Sequence, residues 1–338
     1  MTHPPDIRYL SGFIGDDSWA VVPARSRKVH LISDGRFTEQ IRREAPHAIT
    51  HIRKGGLVEE LAQINTRLKM RRIALSSDAV SVALRKKLAK KLGKGRFKDV
   101  DDGLLKQRCI KDKQETSLIR QAAEIQQEAF RRLLKTIKPG QTEQQIAARL
   151  EFEMRMLGAD EAAFPTIVAA DVNAALPHAI PGTTKVKRGG IVLIDWGARF
   201  RGYHSDMTRV IAFGRMPRAI KEIYRVVADA QQAGIAAIKP GVRLKDVDAA
   251  ARKVIKRAGY GKQFSHSLGH GLGLNIHECP SLAPTAKGVL EASMVVTVEP
   301  GIYLDGVGGV RIEDDVVVTA RSGRLITDLP KSLESAII

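Results

Sequence analysis

The stretch SHSLGHGLGLNIHECP, Ser265–Pro280, holds three of the nine histidines in a 338-residue chain: His266, His270 and His277. An imidazole can bind a divalent metal or move a proton near neutral pH. Spacing alone leaves both uses open. His266 and His270 are four apart and would share a helix face, as in a zinc-binding His-x-x-x-His helix. On a strand, positions 266, 268 and 270 also share a face. Gly269, Gly271 and Gly273 argue against the helix.

Carboxylates complete the set of residues able to do chemistry. Asp195 follows the apolar run Ile191–Ile194, the pattern of a buried strand, and Asp206, Glu299 and Glu313 sit on strand-like stretches of their own. A lone buried carboxylate costs several kcal/mol unless it is paired or binds a metal. Four converging carboxylates would repel one another unless cations sat between them. Two divalent ions neutralise four carboxylates, and one histidine completes an oxygen-rich shell. Ligands of that hardness suit Mn²⁺, Co²⁺ or Zn²⁺ rather than a thiolate-bound structural zinc. Two ions about 3.5–4 Å apart can share a hydroxide, the nucleophile of many hydrolases.

The elements that must position these residues occur twice. IKPGQTEQQIAARLEFEMRMLG (Ile137–Gly158) aligns without gaps against IKPGVRLKDVDAAARKVIKRAG (Ile238–Gly259). Downstream, PHAIP pairs with IHECP and so matches His178 to His277. VLIDWG pairs with VTVEPG and matches Asp195 to Glu299. YHSDMTRVIAF pairs with VRIEDDVVVT, the stretches carrying Asp206 and Glu313. Residues from about 112 to 330 therefore read as two halves of one duplicated unit. Each half has two helices, a histidine, and a hairpin with an acid on each arm. Such halves are expected to pack about a pseudo-two-fold axis with the site between them.

Upstream, Ser18–Ala24 and Val29–Asp34 read as neighbouring strands, Gly56–Met70 as an amphipathic helix and Arg71–Ser77 as another strand. That alternation indicates an α/β domain with a central sheet. A boundary falls near Ile110, giving domains 1–110 and 111–338. Asp112 and Glu115 then resemble a capping box opening a long helix, which Lys138-Pro139-Gly140 ends.

The order Asp195, Asp206 in GYHSDMTR, His270 in GHGLG, Glu299 in VEPGIY and Glu313 in VRIEDD resembles the pita-bread dinuclear metallopeptidases, above all their Xaa-Pro aminopeptidase (aminopeptidase P)/prolidase branch. IRYLSGF and ISDGRF are similar to the creatinase-type N-terminal domain. The resemblance spans nearly the whole chain. It implies an α/β N-terminal domain and an α+β pita-bread catalytic domain. It also implies that Asp195, Asp206, His270, Glu299 and Glu313 hold two divalent ions, Mn²⁺ foremost, with Asp206 and Glu313 bridging. Glu299 would also move protons, His178 and His277 would bind substrate and stabilise the oxyanion, and His266 and Arg311 would shape the proline pocket. The implied activity is cleavage of the Xaa-Pro bond at a peptide N-terminus, with Xaa-Pro dipeptidase as the alternative and a homodimer as the expected assembly. Creatinases share the fold but lack this ligand set.

Some positions depart from the family pattern. Gly189-Gly190 stands where Gly-Asp is usual, Asp171 stands where many relatives have Gly, and His204 occupies a variable slot. THPPDIRYL reads as the end of the family's first strand and the loop after it, so the first helix and most of that strand are expected to be missing.

Composition bounds the alternatives. The net charge is +18, with 25 Lys and Arg against 13 Asp and Glu in residues 1–113. Such a surplus suits a polyanion partner. The densest basic run, Arg85–Lys98, contains only Phe97 as an aromatic, which is poor for base stacking. A non-enzymatic pita-bread protein binding peptide or RNA is the rival reading, and the intact ligand set stands against it. Two cysteines, Cys109 and Cys279, make no disulfide framework, which points to a reducing cytoplasm. No apolar run approaches the ~18 residues that span a membrane.

Overall fold

The structure, a computed structural model, describes residues 1–24, 26, 28–100 and 104–338. It divides into two units, Met1–Arg108 and Cys109–Ile338.

In the first unit the order is α1 (Pro4–Ser11), β1 (Trp19–Val21), β2 (His30–Ser33), α2 (Thr38–Glu44), β3 (Ile49–Ile52), α3 (Leu57–Leu68), β4 (Ile73–Ser76), α4 (Val82–Leu92) and β5 (Phe97–Val100). β1 and β2 pair antiparallel, β2 and β3 pair parallel, and β4 and β5 form a parallel pair. Leu31 and Ile32 are fully buried in two different clusters, so β2 is covered on both faces. On α4 only Leu88 is buried, and its lysines face outward.

The reading of THPPDIRYL as strand end and loop is corrected, because Pro4–Ser11 is an α-helix. Two prolines sit in its first turn, where a missing N–H costs nothing. Asp6 lies at its positive end, and Gly12 closes it at φ 77° by donating to the Arg8 carbonyl. Asp6 is also buried against Arg108, Oδ1 to Nη1 at 2.8 Å.

A short helix, α5 (Leu105–Cys109), leads into the second unit. There follow α6 (Lys113–Leu134), α7 (Glu143–Met156), β6 (Glu161–Ala162), β7 (Ile167–Ala170), β8 (Ile191–Trp196), β9 (Ala198–Phe200), β10 (Tyr203–His204) and β11 (Met207–Ala212). Then come α8 (Arg218–Ala236), α9 (Leu244–Arg257), β12 (Gly269–Gly271), β13 (Glu278–Leu282), β14 (Val295–Val298), β15 (Gly301–Leu304), β16 (Gly308–Arg311), β17 (Asp314–Val318) and β18 (Gly323–Leu325). The capping box on α6 is present. Asp112 accepts from the Glu115 N–H, and the Glu115 carboxylate accepts from the Asp112 N–H. Thr142 and Gln145 form a second one at the start of α7.

The duplication is visible in the sheets. One half orders its strands β7–β8–β11, and the other contains β12–β14–β17 within a five-stranded sheet. In each, a central strand is flanked by an acid at its C-terminal end: Asp195 inside β8, Glu299 just past β14. The next strand is preceded by another: Asp206 before β11, Glu313 before β17. Strand alternation aims β8. Val192, Ile194 and Trp196 pack with the core of α6 and α7, while Ile191 and Leu193 enter the core shared with α8 and α9. Asp195 continues the second face. The halves meet where the Glu313 N–H donates to the Thr208 carbonyl at 3.2 Å and the Asp206 N–H donates to Asp315 Oδ2 at 3.1 Å.

Candidate metal centre

The seam between the halves gathers the acids. Asp206, His270 and Glu313 each offer one ligand atom within 4.8 Å of the other two. His270 Nε2 lies 3.7 Å from Asp206 Oδ2 and 3.5 Å from Glu299 Oε1. Asp195 stands beside them, with its Oδ2 held by Arg311 Nη2 at 2.5 Å.

His270 lies on β12, a strand and not a helix, so the His-x-x-x-His helix does not form. His266 lies outside that strand. The glycines there serve packing between strands. A Cβ on Gly269 would lie 2.1 Å from the Thr297 carbonyl oxygen, and one on Gly271 would lie 2.1 Å from that of Cys279. They admit β14 and β13 to backbone contact.

Burial crowds like charges at this site. Burial, then Glu313 and Asp195, push the Asp206 carboxyl well above the carboxylate range. Burial and the charges of Glu299 and Asp195 do the same to Glu313. Glu299 is pushed up to about 8, mainly by burial, with Asp195 adding and Arg311 opposing. Burial lowers His270 to about 4, so its imidazole is neutral and able to ligate. Asp195 Oδ1, Asp206 Oδ1 and Glu313 Oε1 are buried and have no hydrogen-bond partner among the described residues. An unsatisfied buried acceptor costs about 1–3 kcal/mol, more when charged. Three of them beside a neutral imidazole are what a divalent cation satisfies, so the donor set fits hard divalent ions.

The remaining predicted residues are His266, Arg311, His277 and His178. His266 is lowered to about 4 by burial and by Arg311, and its Nε2 lies 2.9 Å from the Tyr303 hydroxyl. Arg311 Nη1 donates to that hydroxyl at 2.8 Å, and its Nε donates to Thr208 Oγ1 at 3.0 Å. His277 packs edge-on against His270, with ring centroids 4.4 Å apart. Partial burial, then His178, lower the His277 pKa. His178 is exposed on the loop after β7, within electrostatic reach of both His277 and His266.

Sequence reasoning missed several residues that hold this set. Thr208 donates to Glu313 Oε2 at 2.7 Å, and Thr297 supports Glu299 at 3.4 Å. Tyr303 joins His266 to Arg311. Arg209 bonds the Glu313 carbonyl at 2.7 Å and Asp314 Oδ1 at 2.7 Å, across the seam. Asp314 and Asp315 carried a usable signal. Two further acids after Glu313, on a strand of valines, require buried partners.

Two family descriptions match the chain: Metallopeptidase family M24 over residues 117–320 and Creatinase/Prolidase N-terminal domain over residues 1–110. Among curated relatives, an uncharacterized peptidase of Bacillus subtilis is 38% identical over 333 residues, 98% of this chain and 94% of its own length. A Xaa-Pro dipeptidase of Pyrococcus horikoshii is 41% identical over 73% of this chain and 70% of its own length. The solved structure of an X-Pro aminopeptidase from Thermotoga maritima superposes with TM-score 0.92 at 37% identity, covering 100% of this chain and 95% of that one. That of a Xaa-Pro dipeptidase from Bacillus anthracis gives 0.95 at 36% identity, covering 100% and 94%. With both family descriptions matched and the buried acid–histidine cluster in place, the chain belongs to metallopeptidase family M24 and is a hydrolase of the pita-bread fold with a creatinase-type N-terminal domain.

Proposed function

We propose that this chain hydrolyses peptides at a bond preceding proline. The observation that carries the reading is the cluster of buried, partnerless carboxylate oxygens around the neutral imidazole of His270. Asp195, Asp206, His270, Glu299 and Glu313 would hold two divalent ions, Mn²⁺ before Co²⁺ or Zn²⁺, given four hard carboxylates and one nitrogen. When bound, the ions act as Lewis acids and lower the pKa of water to near neutrality.

The chain's own groups do the rest. Glu299, beside His270 in the cluster, is placed to take a proton from water once cations hold it ionised and to pass it to the leaving proline nitrogen. His277 and His178, both exposed at the site, offer N–H groups to the developing oxyanion. His266, Tyr303 and Arg311 form a bonded wall for the prolyl ring, and their mutual hydrogen bonds fix its shape.

Two substrate lengths share this chemistry. The X-Pro aminopeptidase of Thermotoga maritima supports action on longer peptides, and the Xaa-Pro dipeptidases of Pyrococcus support action on dipeptides. Incubation with Xaa-Pro and Xaa-Pro-Xaa peptides, with Mn²⁺ and with chelator, tests both. Metal-dependent cleavage of the longer peptides establishes the aminopeptidase reading, and cleavage of the dipeptide alone replaces it with the other. Cleavage of neither sinks the Xaa-Pro assignment. A homodimer in the cytoplasm is the accompanying proposal, testable by sedimentation and by cell fractionation.

A further inference from the structure

The second unit carries a thiol pair that peptide hydrolysis does not use. Cys109 ends α5, and Cys279 lies on β13, two residues after His277. They are the only cysteines of the sequence, 170 positions apart, and each thiol lies within electrostatic reach of the other. Cys109 is buried in the main core, and Cys279 packs partly exposed against it.

This pair adjoins the turn that presents His277. The buried Lys111 ammonium lies 3.4 Å from the Cys109 carbonyl and 3.4 Å from Glu278 Oε2. Glu278 Oε1 in turn accepts the Asn275 N–H at 2.8 Å. At the other end of the turn, the Gly273 carbonyl is met by the His204 N–H and by His204 Nδ1, both at 2.9 Å. The turn is thus pinned twice, and one pin stands between the residues that bear the sulfurs.

We propose that Cys109 and Cys279 form a redox-active pair, closed to a disulfide by peroxide-class oxidants, and that closure shifts the turn bearing His277 and lowers turnover. Cys279 is the more exposed of the two thiols, with the Lys111 ammonium near it to favour a thiolate, whereas Cys109 is buried. Cys279 is therefore the attacking thiolate. Its sulfur attacks one peroxide oxygen, the O–O bond breaks, and hydroxide leaves and takes a proton to become water. Cys109 sulfur then attacks the sulfenic sulfur, the S–S bond forms, and the S–O bond breaks. The second water carries off the Cys109 proton. Two thiols are oxidised and one peroxide is reduced to two waters. A disulfide holds its sulfurs about 2.05 Å apart, closer than two unbonded thiols can come. Closing that gap draws β13 toward Cys109 and loosens the Lys111–Glu278 contact.

The effect on turnover rests on the oxyanion role of His277 proposed above, whereas disulfide formation does not. The test uses the full, Mn²⁺-loaded chain, treated with hydrogen peroxide, alkylated, digested and weighed. The expected result is a cross-linked peptide joining Cys109 to Cys279 and a kcat lower by roughly 10- to 100-fold, as for an ångström-scale misplacement. Metal content is unchanged, and a thiol reductant restores kcat. Cys109→Ser and Cys279→Ser retain the reduced protein's kcat and no longer respond. If a serine variant does not fold, the cross-link and the reductant-reversible kcat of the unaltered chain still decide the matter. Thiols that stay alkylatable, oxidation of Cys279 that stops at sulfinic acid, or a disulfide with unchanged kcat overturns the proposal. A full-speed His277→Ala variant would refute the reading of His277, while the cross-link would remain a separate result.

Discussion

His270 and His277 touch, yet their assigned work differs, and single substitutions separate them. His270→Ala is expected to lose bound metal and activity together. His277→Ala keeps the metal, measured by elemental analysis, and loses about 10²–10³ in kcat, the usual cost of one oxyanion donor. Equal loss of metal in both would refute this division. The site also sets a pH dependence. Glu299 ionises near 4.5 in an unfolded chain and near 8 in the folded, metal-free one. Its contribution to stability is therefore complete below about 4.5 and is lost as pH rises through 8. His266 and His270, lowered to about 4, add the opposite slope up to about 6.5, so calorimetry under chelator should show the melting temperature falling between about pH 6.5 and 8, with saturating Mn²⁺ flattening the fall. A melting temperature rising with pH across that interval under chelator would contradict it. At this scale, the acids and histidines could be read from the sequence because buried charge demands an explanation. Thr208, Tyr303 and Arg311's grip on Asp195 could not, since hydroxyl and guanidinium contacts across chain-distant strands leave no periodic trace.

Elements with strong local signals matched their expected places. Asp112 and Glu115 cap α6 as their spacing implies, and the paired apolar runs at Trp19–Val21 and His30–Ser33 are antiparallel neighbours. The first helix was missed because THPPDIRYL was read by resemblance as strand end and loop, and Thr2–Leu10 is too short to show a 3.6-residue period; at a helix start proline is favoured. In β12 the glycines spoke against a helix, as found, and what they approach is backbone. Gly269→Ala therefore tests an element and not a ligand. Its Cβ would collide with the Thr297 carbonyl, and the expected cost is about 1–3 kcal/mol. Denaturant titration measures that loss. Metal occupancy should fall with it, because the His270 N–H bonds Thr297 Oγ1 beside the same contact. An unchanged midpoint would show that β14 yields without cost.

For the second unit as a whole, the internal alignment foretold two like halves, since duplicated spacing survives where contacts do not. It said nothing of what clamps them. Arg209, from β11, and Lys331 both bond Asp314 on β17, as do Gln231 and Thr327. Asp314→Ala strands the buried Arg209 and should cost about 3–5 kcal/mol, read as an earlier urea transition. A loss below about 1 kcal/mol, the worth of a surface pair, would mean the seam does not depend on it. The same seam has a consequence in time. Asp195 and Asp206 lie in the first half of the unit, and His270, Glu299 and Glu313 in the second. During translation the early acids emerge with their cation-binding partners still unmade, so the growing chain has no finished place for metal until Glu313 has left the ribosome. Metal capture by the proposed ligands would thereby be postponed to the completed fold, and a nascent chain stalled before Glu313 is expected to retain less Mn²⁺ than the full chain.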